Sequence, residues 1–148
     1  MSYTNLVYHI VFRTYRSENT IVEEHEKELY AYIMGIVSHL NGKLYRIGGM
    51  PDHVHMLVGV PPAIALSEFM RRIKRASSEW LKENPYFPQF SGWGQSYAAF
   101  TYSHADIPIV KNYIINQKNH HRGVTLDSEL RELMAREGVE TDEYFLND

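Results

Sequence analysis

The chain has 148 residues, which is enough for one domain with its own hydrophobic core but too few for two. Hydrophobic residues make up 44% of the chain and charged residues 22%, which excludes a disordered or fibrous protein. Cysteine is absent, so disulfides, thiolate zinc sites and a cysteine nucleophile are excluded, and any metal must bind histidine, carboxylate or amide groups. Because no signal-peptide pattern and no stretch of about 18 apolar residues occurs, we expect a soluble, cytoplasmic protein.

The charge is unevenly distributed along the chain, although the formal net charge is only −3. Residues 125–148 contain eight acidic and two basic residues, whereas residues 1–124 contain 13 basic and 10 acidic residues. Four of the basic residues lie close together, namely Arg71, Arg72, Lys74 and Arg75. The body of the chain can therefore contact a phosphate backbone despite the negative net charge.

The first half of the chain predicts a strand, a helix and a hairpin. Residues 5–14 are rich in β-branched and aromatic side chains, which favours a strand whose core face carries Tyr8, Ile10 and Phe12. Residues 23–40 show the three-and-four spacing of an amphipathic helix. Residues 43–50 and 53–60 are separated by a Pro-Asp turn, which predicts two paired strands.

The second half of the chain predicts a helix, a strand and two further helices. The first helix begins near Leu66 and ends at the Asn84-Pro85 break. A fourth strand is predicted at 97–103, and a third helix from an Asp106 cap to about Arg122. A last helix covers residues 126–137 and ends at Gly138.

The order of these elements is that of an α+β ferredoxin-like split βαβ sandwich, with helices on one face of an antiparallel sheet and added C-terminal helices. No repeat or linker marks a boundary, so residues 1–148 are predicted to form a single domain with an acidic C-terminal helix and tail at 125–148. The other face of the sheet is expected to be open and able to hold a site.

Two histidines in the third predicted strand form the first candidate site. His53 and His55 are two residues apart, so both rings leave the same face of the strand, about 6.6 Å apart at the backbone. Val54, Met56 and Val58 alternate with them and point to the core, which leaves the histidines on the open face. This spacing suits a shared divalent cation, but it also fits two half-exposed histidines with no metal.

Tyr113 and Gln117 form a second candidate site on the third helix. They are four residues apart, so their side chains share one face within about 6 Å. Tyrosine can act as a covalent nucleophile, and attack on phosphorus yields a phosphotyrosine ester that preserves the bond energy for rejoining. The amide oxygen of Gln117 can add a hard ligand to two imidazoles around Mg²⁺ or Mn²⁺.

These residues, with the pair His120 and His121, resemble the small single-tyrosine transposases of the HUH (His, hydrophobic residue, His) superfamily, the IS-two-hundred class of insertion sequences. The opening segment 8–14, the basic helix at 71–78, the approach 93–97 to the fourth strand and the tail 138–145 are similar in order and spacing. The resemblance extends over nearly the whole chain.

The resemblance implies a DNA transposase that cleaves and rejoins single-stranded DNA. In it, His53, His55 and Gln117 bind Mg²⁺ or Mn²⁺, and Tyr113, on the catalytic helix at about 106–122, forms a 5′-phosphotyrosine. No cofactor other than the divalent cation is implied, and no water or ATP is consumed.

The resemblance also implies partners. The DNA carries hairpins at the ends of the element, and the protein is a homodimer in which Tyr113 and Gln117 can act on the histidine pair of the other subunit. Arg71, Arg72, Lys74 and Arg75 are candidate phosphate contacts, although they also fit a solvated helix face. Such a protein is cytoplasmic and associates with the nucleoid when it is bound to DNA. His120 and His121 are interpreted as packing or DNA contacts, and His9 as mainly structural.

Three alternatives remain open at the level of sequence. A domesticated transposase acting on repeated palindromes would use the same chemistry. A non-catalytic RNA- or DNA-binding module would stack bases on the sheet without metal. A metal-dependent hydrolase would use His53 and His55 with Asp52 or His9, and would form no protein–DNA adduct.

Overall fold

The described part of the chain contains one sheet of four antiparallel strands. The computed structural model describes residues 2–140, so the part of the predicted tail from residue 141 onward lies outside the described residues. The strands are β1 (Val7–Thr14), β2 (Lys43–Met50), β3 (His53–Gly59) and β4 (Trp93–Thr101), in the order β2-β3-β1-β4. Their order, with a helix between β1 and β2 and another between β3 and β4, confirms the ferredoxin-like fold class.

Between residues 2 and 140, five α-helices accompany this sheet. They are α1 (Glu26–His39), α2 (Leu66–Glu83), α3 (Ile107–Ile115), α4 (Gln117–His120) and α5 (Leu126–Arg136). The helix α5 begins as its sequence predicts, since the side chain of Thr125 accepts a hydrogen bond from the backbone N–H of Ser128 at 3.2 Å. Within residues 2–140, no helix combines the length and the apolar character needed to cross a membrane.

The two faces of the sheet are covered by different helices. On one face, Ile10 and Phe12 of β1 and Val54, Met56 and Val58 of β3 pack with apolar side chains of α1 and α2. This alternation follows from the two-residue period of a strand and confirms the predicted core face. On the opposite face, α5 packs over β1 and β4, and α3 packs over β1 and β3. The face that the sequence predicted to be open is therefore covered by the C-terminal helices.

Two predicted elements begin three or more residues away from their predicted start. The fourth strand begins at Trp93, four residues earlier than predicted, because tertiary contacts support its glycine-containing start: the Nζ of Lys74 donates to the carbonyls of Gly94, Gln95 and Ser96 at 2.8, 3.2 and 3.1 Å. The first long helix begins at Glu26 after a short 3₁₀ turn, three residues later than predicted.

The predicted helix 106–122 is divided at Asn116, whose φ of −91° and ψ of 14° depart from helical values. The hydrogen bonds from Asn116 N to Asn112 O (3.1 Å) and from His120 N to Asn116 O (2.9 Å) continue across the division. Consequently α3 and α4 still present their side chains to a common side. Asp106 does not cap α3 with its side chain, which instead accepts a hydrogen bond from Ser103 Oγ at 3.0 Å.

Candidate active site

The two histidines of β3 lie in the interior of the protein. His53 and His55 both have 0% of their surface exposed, because α3, α4 and α5 cover this face of the sheet. The prediction that they share one face is confirmed, and the prediction that this face is open is wrong. The sequence could not reveal the cover, since it consists of elements more than 50 residues further along the chain.

The Nδ1 atom of each β3 histidine has a defined partner. The Nδ1–H of His53 donates to Asp52 Oδ1 at 2.7 Å. The Nδ1 of His55 lies 2.7 Å from Nε2 of His9, which projects from the neighbouring strand β1 onto the same face. Such partners fix the orientation of an imidazole and leave its Nε2 available for another interaction. His9 therefore positions His55, a role that the sequence alone did not favour.

Tyr113 and Gln117 reach the histidines from α3 and α4. The end of α3 approaches β2 closely because Gly48 has no side chain: a Cβ there would lie 3.1 Å from the carbonyl oxygen of Ile114. Lys118 fixes α4 by donating to Gly49 O at 2.6 Å and to Glu26 Oε2 at 2.8 Å. As a result, Gln117 is buried, and its Oε1 lies 3.2 Å from Nε2 of His53.

A buried carboxylate, Glu129 of α5, lies at the centre of this arrangement with 1% of its surface exposed. Its Oε1 lies 2.8 Å from Nε2 of His121, 3.1 Å from Nε2 of His55 and 3.6 Å from Nε2 of His53. Its Oε2 accepts hydrogen bonds from the Tyr113 hydroxyl and from Nε2 of Gln117. The four predicted site residues thus converge on a fifth residue that the sequence analysis did not identify.

The position of α5 is fixed by contacts outside the site. Leu126, Leu130, Leu133 and Met134 pack on Val11, Ala98 and Phe100 of the sheet. At the start of α5, Arg13 of β1 donates to Asp127 Oδ1 at 3.1 Å, and beyond its end Tyr102 donates to Glu137 Oε1 at 3.0 Å. These contacts carry Glu129 into the site without requiring the histidines to hold the helix.

The electrostatics of the site follow from burial and from these hydrogen bonds. Burial alone raises the pKa of Glu129, but the hydrogen bonds from His121 and His55 outweigh it and hold this pKa well below its ordinary range. Burial lowers the pKa of His55 to about 4, so this ring is neutral near pH 7. Burial raises the pKa of Tyr113 far above its ordinary value, and the hydrogen bond to Glu129 adds a smaller rise. Tyr113 is therefore a protonated phenol in this arrangement.

The side chains of the site are compatible with a divalent cation. One ligand atom from each of His53, His55, His121 and Glu129 can be chosen so that all four lie within 4.8 Å of one another. Imidazole nitrogens and a carboxylate oxygen are ordinary ligands of divalent cations, and Gln117 Oε1 adds a further oxygen beside His53. His121 belongs to this cluster, and its interpretation as a packing or DNA-contacting residue stays a prediction.

The four basic residues of α2 do not share one surface. Arg71, Lys74 and Arg75 line a cleft of about 400 Å³ next to Trp93 and Tyr97 of β4. Arg72 lines a different cleft, between α1 and α2. Since Lys74 donates to three carbonyls of β4, it stabilises the strand edge, whereas Arg71 and Arg75 are exposed and pair with Glu68 and Glu79 on their own helix.

Comparison with known proteins supplies the family. A family model described as "Transposase IS200 like" matches residues 2–117. The transposases for insertion sequence element IS200 of Salmonella typhimurium and Salmonella typhi are each 29% identical to this chain over 79 residues, which is 53% of the chain and 52% of each relative. The chain therefore spans about half the length of the curated relatives it matches.

Two solved structures share the fold. A Deinococcus radiodurans R1 protein described as a candidate transposase is 27% identical with a TM-score of 0.59, covering 78% of this chain and 93% of that one. A REP-associated tyrosine transposase bound to a REP hairpin has a TM-score of 0.62 at 13% identity, covering 84% of this chain and 73% of that one, and supports the fold alone. With the family model covering most of its length, this chain belongs to the family of IS200-like transposases.

Proposed function

We propose that the protein is a transposase that cleaves and rejoins single-stranded DNA, with Tyr113 as the nucleophile. The observation that carries this proposal is the position of the Tyr113 hydroxyl, which donates to the same buried carboxylate that His55 and Gln117 contact. A nucleophile beside a cluster able to bind a divalent cation is the arrangement that transfer of a phosphoryl group requires. Membership of the transposase family supports the same chemistry.

The chemical step balances without an external co-reactant. The phenolic oxygen of Tyr113 forms a bond to the scissile phosphorus and gives up its proton, the bond from phosphorus to the 3′ oxygen breaks, and the 3′ oxygen takes up one proton and leaves as a hydroxyl group. Attack by a 3′-hydroxyl on the phosphotyrosine reverses these changes and restores the phenol. Because the pKa of Tyr113 is raised in the present arrangement, its proton must leave before or during the attack.

The cation proposed for this site is Mg²⁺ or Mn²⁺, with His53, His55 and the amide oxygen of Gln117 as ligands. When bound, the cation supplies Lewis-acid stabilisation of the charge on the phosphate. The chain itself orients the ligands: Asp52 holds the ring of His53, and His9 holds the ring of His55. Burial of both histidines excludes bulk water, which favours rejoining over hydrolysis.

The proposed substrate is single-stranded DNA with hairpins at the ends of an element. The structural neighbour that is bound to a REP hairpin supports a DNA hairpin as the ligand, and the exposed Arg71 and Arg75 beside the cleft at Trp93 support contact with phosphate. A cavity of about 240 Å³ lined by His9, Tyr102 and Tyr113 gives room next to the nucleophile. We further propose that residues 1–148 act as one domain in the cytoplasm, on the DNA of the nucleoid.

The test is a denaturing gel of the purified protein incubated with labelled single-stranded DNA that carries the hairpin from its own genomic flank, with Mn²⁺ or with EDTA. We expect a covalent protein–DNA adduct that requires Mn²⁺ and is lost in Tyr113→Phe but kept in Tyr86→Phe, an exposed tyrosine outside the site. Binding without an adduct would instead indicate a nucleic-acid-binding module. Cleavage without an adduct would indicate a hydrolase.

We also propose a homodimer. Tyr113 and His55 lie next to each other within one chain in the structure. In the alternative arrangement, Tyr113 of one subunit serves the histidines of the other. Mixing two inactive variants distinguishes these two arrangements. Tyr113→Phe and His55→Ala each form no adduct alone. An adduct in the mixture indicates action between subunits, and its absence from a mixture that still forms dimers indicates action within one chain.

A further inference from the structure

Three imidazoles of the candidate active site direct their Nε2 atoms at one oxygen of Glu129. The Nε2 atoms of His53, His55 and His121 surround Oε1 of Glu129 at 3.6, 3.1 and 2.8 Å. Ligand atoms that bind one tetrahedral cation at about 2.0–2.2 Å lie about 3.3–3.6 Å from each other. The separations of the nitrogens from the carboxylate oxygen already lie around that value, in side chains that come from β3, from α5 and from the residue that follows α4.

The Nδ1 atoms of the same three rings point away from Oε1 of Glu129, and each has a hydrogen-bond partner. Asp52 Oδ1 accepts from His53 at 2.7 Å, and the carbonyl oxygen of Val124 accepts from His121 at 2.6 Å. His9 Nε2 lies against Nδ1 of His55 at 2.7 Å. A neutral ring that binds a cation through Nε2 must carry its proton on Nδ1, and acceptors placed at Nδ1 stabilise that tautomer.

Packing does not explain why a carboxylate occupies this position of α5. The side chains that α5 turns toward the sheet are otherwise apolar, namely Leu126, Leu130, Leu133 and Met134. Burial of an ionised carboxylate is strongly unfavourable unless it is paired, so an apolar residue would be expected in a purely structural helix face. Glu129 is buried among four imidazoles, those of His53, His55 and His121 at Oε1 and that of His120 at 3.4 Å from Oε2, and this burial is itself evidence of a ligand function.

We propose that His121 and Glu129 are further ligands of the divalent cation, beside His53, His55 and Gln117, and that Nε2 of Gln117 also orients Glu129 through its hydrogen bond to Oε2. This inference deepens the proposed function, because it assigns the ligands of the same site. Three imidazoles and one carboxylate favour transition-metal cations over Mg²⁺, which prefers oxygen ligands. Of the two cations proposed above, this ligand set therefore favours Mn²⁺. Zn²⁺ serves as a probe of the same ligands, and cation binding joins α5 to β3.

The first experiment measures cation affinity without DNA, by isothermal titration of EDTA-treated and dialysed full-length protein with ZnCl₂, MnCl₂ and MgCl₂. We expect Zn²⁺ and Mn²⁺ to bind at least tenfold more tightly than Mg²⁺. We expect Glu129→Gln and His121→Gln each to weaken Zn²⁺ binding by at least tenfold. The matched controls are Glu132→Gln, an exposed acid of the same helix, and His39→Gln, an exposed histidine of α1, which should stay within twofold of the parent.

The result that overturns the proposal is a Glu129→Gln protein that binds Zn²⁺ as tightly as the parent. A Gln117→Met variant that loses Zn²⁺ binding while Glu129→Gln retains it would overturn it as well. These affinities are independent of DNA cleavage, so a protein that binds Zn²⁺ through Glu129 but forms no Tyr113 adduct would leave this inference standing while refuting the proposed function.

A second measurement needs no substitution and therefore does not depend on the folding of variants. Nitrogen NMR of ¹⁵N-histidine-labelled protein reports which ring nitrogens bind a cation. On addition of Zn²⁺ we expect the Nε2 resonances of three histidines, His53, His55 and His121, to shift to the position of a metal-bound nitrogen. A spectrum in which His121 does not change would refute its assignment as a ligand.

Discussion

The two faces of the sheet differ in what they bury. The face under α1 and α2 packs a continuous set of apolar side chains, in which Phe69, Ile33 and Met56 are fully buried. The opposite face has two smaller apolar clusters, and Glu129 and His55 are buried between α5 and the sheet. Burial of apolar surface stabilises a fold, whereas burial of charged and polar groups requires matched partners. Apolar burial, and with it stability, is therefore concentrated on one face of the sheet, and the candidate active site lies on the other.

The largest expected effect comes from Phe69→Ala on the apolar face. Phe69 is fully buried in the main core, so its truncation should lower the free energy of unfolding by about 3–5 kcal/mol. Urea denaturation measures this loss, and titration of the folded variant with ZnCl₂ should give an affinity within twofold of the parent. A tenfold weaker Zn²⁺ affinity, with little change in stability, would contradict the separation of the two faces.

A smaller effect, on Zn²⁺ affinity and not on stability, is expected for Asp52→Ala. This change removes the acceptor of the His53 Nδ1–H while Asp52 O, which accepts from Thr14 N at 3.0 Å, remains. We expect Zn²⁺ binding to weaken about 10–100-fold, as for other groups that orient a ligand, with little change in urea denaturation. Asp52→Asn retains an oxygen acceptor and should keep most of the affinity. If Asp52→Ala destabilised the fold without affecting Zn²⁺, the chemical role of this face would be refuted.

The smallest effects are expected at the basic cleft, where Lys74 and Arg75 differ. Lys74→Met removes the donor to three β4 carbonyls and should lower the free energy of unfolding by about 1 kcal/mol. Arg75→Gln should leave unfolding unchanged but weaken single-stranded DNA binding and reduce the slope of log affinity against log salt by about 1. Fluorescence anisotropy over a salt series measures the slope, and an unchanged slope in Arg75→Gln would exclude it as a phosphate contact.

Regular patterns account for what the sequence predicted correctly. The alternation in β3 placed His53 and His55 on one side and Val54 and Met56 on the other, and both assignments are confirmed. The spacing of Tyr113 and Gln117 predicted a common side, and both contact Glu129 despite the division of the helix at Asn116. These predictions depend only on the period of a single element.

The rest of the site depends on packing between distant elements, which no single period encodes. Glu129 and His55 are 74 positions apart, and their contact exists because α5 folds back over the sheet. One signal was available in the sequence. Glu129 interrupts the apolar stripe formed by Leu126, Leu130 and Leu133, and an acid on the buried side of an amphipathic helix indicates a functional position.

The central claim is that Tyr113 carries the covalent link to DNA, and mapping of the linked residue tests it most directly. The protein is trapped as its adduct with a short single strand in Mn²⁺, digested with protease and nuclease, and analysed by mass spectrometry for a tyrosine that retains a nucleotide. With 11 tyrosines in the chain, the account predicts the nucleotide on Tyr113 alone. A nucleotide on any other tyrosine would contradict the account.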